Sequence, residues 1–389
     1  MEKIILIVLF TIFPVVIIYV CHKFPAINKL GAIAIAYGFG IIVGNIGIIP
    51  EGGEETQIML CDMTVPIAIP LLLFSLDIKK WIKHSAKAFS ALFLGLISVI
   101  TMIIVGFFIF RGEVEEMGKV GGLLTGVYTG GSPNLASIKT MLDVDEAIFI
   151  ATNTYDIVLC AILFLFLVSF AQKVFGWILP AFKKPADNLN KKDAEELIRK
   201  QSEIDSYQGF FRKKTFFPML MALGLSLIIL GLGFLIWKVF SGNETNQPVI
   251  IILSITTLGI LASLIPRISK IKKSFQLGMY FIIVFSFVVA SRANISDLVN
   301  ISKDLFLYVA FAVFGSLILH LLLSKLFKVD TDTFIIVTTA LCFSPPFVPA
   351  VAAALKNKDV IITGLVTGLI GYALGNYLGY TLGTLLSSI

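Results

Sequence analysis

Residues 125–135 read TGVYTGGSPNL, a polar, glycine-containing stretch inside an otherwise apolar part of the chain. Gly130 and Gly131 tolerate backbone angles that other residues resist. A serine followed by a proline is typical of the start of a helix. We therefore predict that a helix begins here, with Ser132 as its N-cap and Pro133 as its first helical residue. Such a helix break inside an apolar segment indicates a membrane protein. Other helices, or a water-filled cavity, must then cover the polar backbone groups at the break.

The composition of the whole chain supports this prediction. Of its 389 residues, 57% are hydrophobic and 14% are charged, whereas soluble domains carry about 25% charged residues. The formal charge of +6 comes from short clusters of Lys and Arg between apolar runs, which is how the orientation of a membrane protein is encoded. The pattern predicts an all-α, multi-pass membrane protein whose partner is the lipid bilayer and not a nucleic acid.

The apolar segments divide into two sets around one long polar stretch. That stretch, 173–214, contains alternating charges at helical spacing over 191–205, which predicts a linker with an amphipathic helix. Residues 1–172 then form a first repeat and residues 215–389 a second. A spanning helix needs about 20 mostly apolar residues, and the candidate segments are 4–20, 30–49, 58–78, 86–110, 119–141, 145–172, 215–240, 247–266, 274–292, 303–327, 332–356 and 360–386.

The parts before and after the linker share an order of features. The Ile-Pro pair at 49–50 corresponds to the pair at 265–266, and the Ser-Pro pair at 132–133 corresponds to the pair at 344–345. These and similar pairs keep an offset of roughly 212–217 residues. Six segments followed by six segments indicate an internal duplication, which is frequent among secondary transporters.

Charge placement orients the segments. The acidic loop at 50–57 should lie outside and the basic loop at 79–87 inside. The basic linker at 173–214 reaches the cytoplasm if segment 119–141 enters and leaves the membrane on one side. The same assumption for the second half predicts an inverted-topology repeat of about ten spanning helices and two re-entrant segments, with both termini outside the plasma (inner) membrane. The alternative is that 119–141 and 332–356 are broken helices that cross.

The two interrupted segments are candidate substrate sites. The N-terminus of a helix presents free N–H groups and partial positive charge, which suit a carboxylate. The alternative for each interruption is a kink that only packs helices. Arg292 could contact an anionic substrate, or its side chain could reach to the membrane interface. The candidate substrate-binding residues are Thr129, Gly130, Gly131, Ser132, Asn134, Arg292, Asn294, Ser344 and Pro345.

A second candidate site surrounds Asp156. This residue follows Asp145 by eleven positions, or about 16 Å along a helix, which places it near the middle of a hydrocarbon core about 30 Å thick. A carboxylate there is costly and suggests a function. Asn153 shares its helix face, and Thr152 is adjacent. We predict a coupling-ion site, with Na⁺ at Asn153 and Asp156 or a proton on Asp156; the alternative is a structural hydrogen bond from Asp156. No other cofactor is expected.

Two weaker features concern packing. His320 is expected to be a buried histidine with satisfied hydrogen bonds. Glycines recur every three or four residues in the last segment, which permits close helix packing; the alternative is a sliding surface for a moving domain. These glycines are Gly364, Gly368, Gly371, Gly375, Gly379 and Gly383.

Enzyme motifs are missing from the sequence. It contains no GxxxxGK[ST] phosphate loop, no HExxH and no GxSxG motif, which argues against ATP-driven transport by this chain and against an enzyme.

Three stretches resemble a known family. PLLLFSLDIKKW (70–81), GLLTGVYTGGSPNLASI (122–138) and TNTYDIVLCA (152–161) resemble the YjcL-like family of bacterial and plant membrane proteins, and the resemblance covers nearly the whole chain. That family is similar to the superfamily of cation/proton antiporters and Na⁺-coupled anion, citrate, glutamate and bile-acid transporters. The resemblance implies a scaffold domain, a mobile core that holds the broken segments, an elevator-like mechanism and a homodimer. The second half departs from the double-glycine pattern, so the two interruptions need not contact substrate equally.

The sequence therefore predicts a secondary active transporter, a Na⁺- or H⁺-coupled symporter of a small organic anion, amino acid or short peptide. One alternative is a monovalent cation/proton antiporter. Another, from a different class, is a non-transporting membrane regulator of cell-wall hydrolysis.

Overall fold

The computed structural model consists of helices joined by connections, and its described residues contain no β-strand. A lipid environment favours helices because a helix satisfies its backbone N–H and C=O groups within one segment. The all-α prediction is confirmed for this part of the chain. The structure describes residues 2–24, 32–50, 52–75, 86–112, 116–182, 213–271, 273–292, 303–343, 345–357 and 359–389.

The described helices before residue 183 follow the apolar segments of the first half. The single residue Gly131 separates two of them, α5 and α6, so the predicted interruption of segment 119–141 is confirmed. The helices are α1 (Glu2–Lys23), α2 (Ala32–Asn45), α3 (Glu54–Leu73), α4 (Ala86–Phe110), α5 (Met117–Gly130), α6 (Ser132–Leu142), α7 (Glu146–Ser169) and the short α8 (Ala171–Phe175).

The described helices after residue 212 include a second interrupted segment, α15 and α16. A π-helical turn, Phe311–Gly315, joins α13 to α14, and a 3-10 turn, Pro345–Phe347, precedes α16. The helices are α9 (Lys213–Phe240), α10 (Gln247–Ser263), the short α11 (Pro266–Ser269), α12 (Ser274–Ala290), α13 (Lys303–Ala310), α14 (Ser316–Leu326), α15 (Thr331–Phe343), α16 (Val348–Ala354) and α17 (Ile361–Ser387).

Seven of the described helices are long and apolar enough to cross a membrane. They are α1, α3, α4, α7, α9, the continuous helix Lys303–Leu326 and α17. Four shorter apolar helices, α2, α10, α12 and α15, accompany them. These lengths confirm a multi-helix membrane protein, whereas the predicted total of about ten spanning helices stays a prediction.

The chain forms two compact units. Unit 1 is built from Met1–Leu76, Ala136–Thr154 and Tyr207–Ser302, and unit 2 from Asp77–Leu135, Tyr155–Ser206 and Lys303–Ile389. Each half of the chain therefore supplies its first three apolar segments to unit 1, namely α1–α3 and then α9, α10 and α12. Most of the later segments belong to unit 2, which contains both interruptions.

Unit 1 packs its helices closely around α12 and α3. A Cβ added to Gly40 of α2 would lie 2.5 Å from the carbonyl oxygen of Phe287 on α12, so these two helices approach at backbone distance. Phe13 of α1 stacks on the Phe287 ring with the centroids 4.9 Å apart. Ser226 of α9 donates a hydrogen bond of 2.7 Å to the carbonyl of Ile67 on α3.

Unit 2 packs around α17, which lies against α5 and α15. Helix α4 contacts α5, α14 and the π-helical turn. Tyr308 of α13 is fully buried and donates a hydrogen bond of 3.0 Å to the Ile103 carbonyl of α4. His320 of α14 contacts the Thr338 hydroxyl at 3.2 Å and the Ala91 carbonyl at 3.1 Å. This confirms the prediction of a satisfied, buried histidine.

Several sequence predictions fall outside the described residues. The amphipathic helix predicted at 191–205 lies there, as do Asn294 and Ser344 among the candidate site residues.

Candidate functional site

The first interruption depends on the backbone of Gly131. Its angles are φ 89° and ψ −165°, a region essentially restricted to glycine. The Gly131 N–H donates to the Val127 carbonyl at 2.7 Å and so ends α5. Its carbonyl accepts from the Asn134 and Leu135 N–H groups, at 3.1 and 3.3 Å, and so begins α6. One residue thus closes one helix and opens the next.

This geometry corrects the predicted cap. Because the Gly131 carbonyl accepts the first hydrogen bond of α6, Gly131 occupies the N-cap position and Ser132 is the first helical residue. The prediction that Ser132 is the N-cap and Pro133 the first helical residue was wrong by one position. A serine often occupies the N-cap, but here the residue before Ser132 has a positive φ, and its carbonyl accepts the first hydrogen bonds of α6.

Two glycines of α17 bring this helix against the first interruption. A Cβ added to Gly371 would overlap the Thr129 carbonyl and lie 3.1 Å from the Gly130 Cα. One added to Gly375 would lie 2.6 Å from the Thr129 hydroxyl. Asn134 donates a buried hydrogen bond of 3.0 Å to the Gly371 carbonyl. The glycine spacing in α17 therefore serves close packing within unit 2, as the sequence predicted.

The polar side chains at this interruption are mostly buried. Thr129 and Asn134 are buried, and Ser132 is half-buried. The Thr129 hydroxyl donates to the Thr125 carbonyl at 2.8 Å. Five predicted substrate-binding residues therefore lie together where α5, α6 and α17 meet.

The second interruption reaches the same helix one turn away. A Cβ added to Gly368 would lie 2.6 Å from the Pro345 ring. Around the 3-10 turn, the Phe164 ring of α7 packs edge-on against Phe343 and Phe347, with centroids 5.5 and 5.4 Å away. Pro345 therefore contacts α17, as the first interruption does, and the described rings packed around its turn are aromatic.

Asp156 lies in α7 within unit 2 and is 8% exposed. The Cys160 thiol donates to its Oδ1 at 3.2 Å, one helical turn later. The Tyr128 hydroxyl of α5 also faces this carboxylate, although no described group meets that hydroxyl in good hydrogen-bond geometry. A charged group in such a position is expensive in a membrane helix.

The other two predicted coupling-ion residues belong to the first part of α7, in unit 1. The Thr152 hydroxyl donates to the Ile148 carbonyl at 2.7 Å. The Asn153 side chain is 1% exposed, and its amide nitrogen has no described hydrogen-bond partner. An unsatisfied buried donor is unfavourable.

Arg292 lies in unit 1 and is engaged by carboxylates. Its guanidinium pairs with Glu146 at the start of α7 and with Glu54 at 3.1 Å. Lys139 lies 3.8 Å from the same Glu146 carboxylate. The Arg292 side chain is 14% exposed, so an anionic substrate would have to replace a carboxylate that Arg292 already holds.

The sequence did not predict several residues that contact these sites. Tyr128 is inside the quoted stretch, yet only its contact with Asp156 distinguishes it from a packing aromatic. The glycines Gly371 and Gly375 were recognised as packing residues but not linked to the interruption. One sequence feature could have indicated this contact: Gly371 and Gly375 lie one turn apart in α17 and follow the second Ser-Pro pair.

A cavity of about 700 Å³ in unit 2 lies beside the start of α15 and the end of α16. Asp332 in its wall is buried and accepts hydrogen bonds from Gln172 at 2.9 Å and from Asn357 at 2.7 Å. These bonds occupy both carboxylate oxygens and tie α15 to α8 and to the connection that follows α16. Among the described residues, no group of three or more His, Cys, Asp or Glu side chains could hold a metal ion.

Comparison with known proteins identifies a family and a similar membrane protein. A family model described as "Protein of unknown function (DUF819)" matches residues 8–389. The chain is also similar to the "Uncharacterized membrane protein YjcL" of Bacillus subtilis (strain 168), with 24% identity over 346 residues that cover 87% of this chain and 86% of the relative. The resemblance carried by the three quoted stretches is thereby confirmed. The long apolar helices of the chain and the family match over residues 8–389 identify it as a membrane protein of the DUF819 family.

Proposed function

We propose that the protein is a secondary active transporter, a Na⁺- or H⁺-coupled symporter of a small organic anion, amino acid or short peptide. The proposal depends on one combination in unit 2. An apolar segment is interrupted at Gly131, and the next long helix along the chain, α7, carries the buried carboxylate of Asp156. Interrupted helices are tolerated in membranes where they line a binding cavity. Buried carboxylates in spanning helices are typical of ion and proton pathways.

The proposed architecture is an inverted-topology repeat, with 1–172 and 215–389 as its halves and two re-entrant or discontinuous segments. The order of the elements supports it, because each half supplies three segments to unit 1 before it supplies an interrupted segment to unit 2. Unit 1 would then be the scaffold and unit 2 the core that moves in an elevator-like cycle. The inverted orientation rests on the charge pattern alone.

The proposed substrate site is the start of α6. This helix has 11 residues, so its first turn carries the partial positive charge of a helix N-terminus. Gly130 brings the backbone just before this helix close to α17 without an intervening side chain. A carboxylate would suit such a site. Ser132 is its half-buried side chain, and the second interruption contributes packing through Pro345.

The proposed coupling-ion site centres on Asp156, with Thr152 and Asn153 preceding it in α7. Carboxylate, amide and hydroxyl oxygens are ligands for a hard cation such as Na⁺. Alternatively, a proton bound to Asp156 would neutralise its carboxylate and lower the cost of holding this side chain within the membrane.

Ligand-induced stabilisation and uptake test this function together. Purified protein is screened by thermal unfolding against small organic acids, amino acids and short peptides, with and without Na⁺ and at two pH values. A ligand that binds only the folded state raises the melting temperature. The stabilising ligand is then used for ion-driven uptake into proteoliposomes.

Asp156→Asn should abolish ion-driven uptake and leave the folded protein intact. Asp145→Asn is the matched control, since Asp145 caps the start of α7 through its Oδ1, and asparagine retains that oxygen. Wild-type uptake by Asp156→Asn would remove Asp156 from the mechanism. Na⁺ or K⁺ flux driven by a pH gradient without any solute would indicate the antiporter, and a stable protein complex without any flux would indicate the regulator.

We further propose a plasma (inner) membrane location, a cytoplasmic linker at 173–214, both termini outside and a homodimer. The basic residues of the linker support the orientation. Single cysteines introduced into 173–214 should react with a membrane-impermeant reagent only from the cytoplasmic side. Labelling of intact cells from outside would reverse the proposed topology.

A further inference from the structure

The cavity of about 700 Å³ beside Asp332 contains none of the described residues of the proposed substrate and coupling-ion sites. Its described wall belongs to unit 2 and comes from α8, the chain that follows α8, the start of α15, and the end of α16 with the connection after it. Ligand cavities have volumes of about 300–1,000 Å³, so the size fits a small organic molecule.

Among the described residues, this wall contains one buried charged side chain, that of Asp332. Asp332 is 6% exposed, whereas Lys356 and Asp359 in the same wall are exposed. None of the ion pairs between described residues involves Asp332. Burial of a carboxylate without a cationic partner is costly, and a cation in the cavity would offset that cost.

The hydrogen bonds of the wall use up most of its side-chain donors. The Gln172 amide nitrogen donates to the Asp332 carboxylate at 2.9 Å and to the Leu355 carbonyl at 3.3 Å, which are as many acceptors as it has protons. The Thr331 hydroxyl donates its single proton to the Pro180 carbonyl at 3.1 Å. Neither side chain therefore has a proton left for a ligand.

Acceptors remain in the same wall. A carboxylate offers about four lone-pair positions, and Asp332 uses two of them, for Gln172 and Asn357. The Gln172 carbonyl oxygen and the Thr331 hydroxyl oxygen can also accept. These side chains match a ligand that donates several hydrogen bonds.

The start of α15 does not favour an anion, although a helix N-terminus often does. The Thr331 N–H donates to the Pro180 carbonyl at 2.9 Å, and the Thr333 N–H donates to the Asp330 carboxylate at 2.8 Å. An anion at this end of the helix would also be repelled by the Asp332 carboxylate.

We propose that the cavity binds a small organic ammonium ion, with Asp332 as its charge partner. The N–H groups of the ammonium match the acceptors of Asp332, Gln172 and Thr331. The organic part of the ligand would lie against Leu355 and the Phe182 ring, which line the same cavity, and an aromatic ring also attracts a cation. This site is separate from the proposed transport sites, and the inference does not depend on transport.

Binding of a primary amine to the purified full-length protein tests the proposal. The probe is butylammonium, and butanol and butyrate serve as neutral and anionic probes of the same chain length. All three are titrated at constant ionic strength while thermal unfolding is followed. Butylammonium should raise the melting temperature in a saturable way, because it binds only the folded state, whereas butanol and butyrate should not.

Asp332→Asn should weaken butylammonium binding by about tenfold or more, since a hydrogen bond to a charged group is lost. Asp330→Asn is the matched control, because it removes the same charge two residues earlier. Asp330 is not among the described residues of the wall, and asparagine retains the oxygen that accepts from the Thr333 N–H. Its affinity for butylammonium should stay within about twofold of the wild type.

Lys356 provides a second variant that alters no buried side chain. It lines the cavity, is exposed and has a φ of 53°, a conformation that asparagine tolerates. Lys356→Asn removes a like charge from the wall, so butylammonium should bind about twofold more tightly.

Four results would overturn the proposal. The first is the lack of a saturable response to butylammonium, and the second is an equal response to butanol, which is expected of a purely apolar cavity. The third is stabilisation by butyrate together with weaker butylammonium binding in Lys356→Asn, which would assign the cavity to an anion. The fourth is an equal loss of affinity in Asp330→Asn and Asp332→Asn. Butylammonium binding without any ion-driven uptake would support this site and count against the transporter alone.

Discussion

The two interruptions of unit 2 stop their helices by different chemistry. At the first, Gly131 adopts a positive φ and joins α5 to α6 within a single residue. At the second, Pro345 begins a 3-10 turn, and the Phe343 and Phe347 rings pack around Phe164. Among the described residues, the first therefore presents backbone, Thr129 and Asn134, whereas the second presents the Pro345 ring and aromatic faces.

The difference shows that a broken helix is not sufficient to define a polar site. Glycine interrupts by permitting an unusual backbone angle, and it leaves the backbone accessible to polar neighbours. Proline interrupts by removing an N–H group and adding a bulky ring, which must itself be packed. Both interruptions meet α17, but the first is the better candidate for a ligand.

The largest effect should come from closing the backbone contact at the first interruption. Gly371→Ala would place a Cβ on the Thr129 carbonyl, which is backbone and cannot move aside. We expect a loss of about 3 kcal/mol or more in the free energy of unfolding. Gly368→Ala, which meets the Pro345 ring at 2.6 Å, should cost less, about 1–2 kcal/mol. Chemical unfolding in detergent measures both.

Gly231→Ala is the control for this pair. Gly231 lies in α9, and a Cβ there would meet nothing within 4 Å, so alanine should be neutral or stabilise by up to about 1 kcal/mol. A greater loss for Gly368→Ala than for Gly371→Ala would reverse the proposed difference between the two interruptions.

A smaller effect is expected at the interrupting residues themselves. Gly131→Ala forces a Cβ into a backbone region essentially restricted to glycine, and it should cost about 2 kcal/mol. Pro345→Ala retains an allowed backbone angle and loses only ring contacts, so about 1 kcal/mol is expected. Thermal unfolding ranks the two variants, and equal losses would show that both turns are held by packing alone.

Removal of the polar contact should have a smaller effect on stability. Asn134→Leu has a similar shape but cannot donate to the Gly371 carbonyl, so it should cost about 1 kcal/mol. It should also weaken the stabilisation by whichever ligand the thermal screen finds. Phe347→Leu at the second interruption should retain that ligand-induced stabilisation. Loss of it in Phe347→Leu alone would move the proposed site to the second interruption.

The smallest effect distinguishes the observed cap from the predicted one. If Gly131 is the N-cap, as the hydrogen bonds indicate, Ser132→Ala removes no cap and should change the free energy of unfolding by less than about 0.5 kcal/mol. A serine N-cap would instead cost about 1 kcal/mol on replacement. Denaturant midpoints of the purified variant decide between these values.

Local features of the sequence determined the helices and the place of the first interruption. Apolar runs near membrane length predict helices because backbone groups cannot remain unpaired in lipid. The glycine pair at 130–131 predicts the break because few other residues adopt such angles. The cap itself is Gly131, one residue before the predicted Ser132, because the Gly131 carbonyl accepts the first hydrogen bond of α6.

Only the tertiary structure decided what each polar group contacts. Asn134 donates to a carbonyl 237 positions later in the chain, Arg292 pairs with Glu146, and Tyr128 faces Asp156. No local periodicity encodes such partners, because they depend on which helix faces meet after the chain has packed. For this protein the sequence determined where the chain is apolar and where it breaks, and packing determined which residues surround each break.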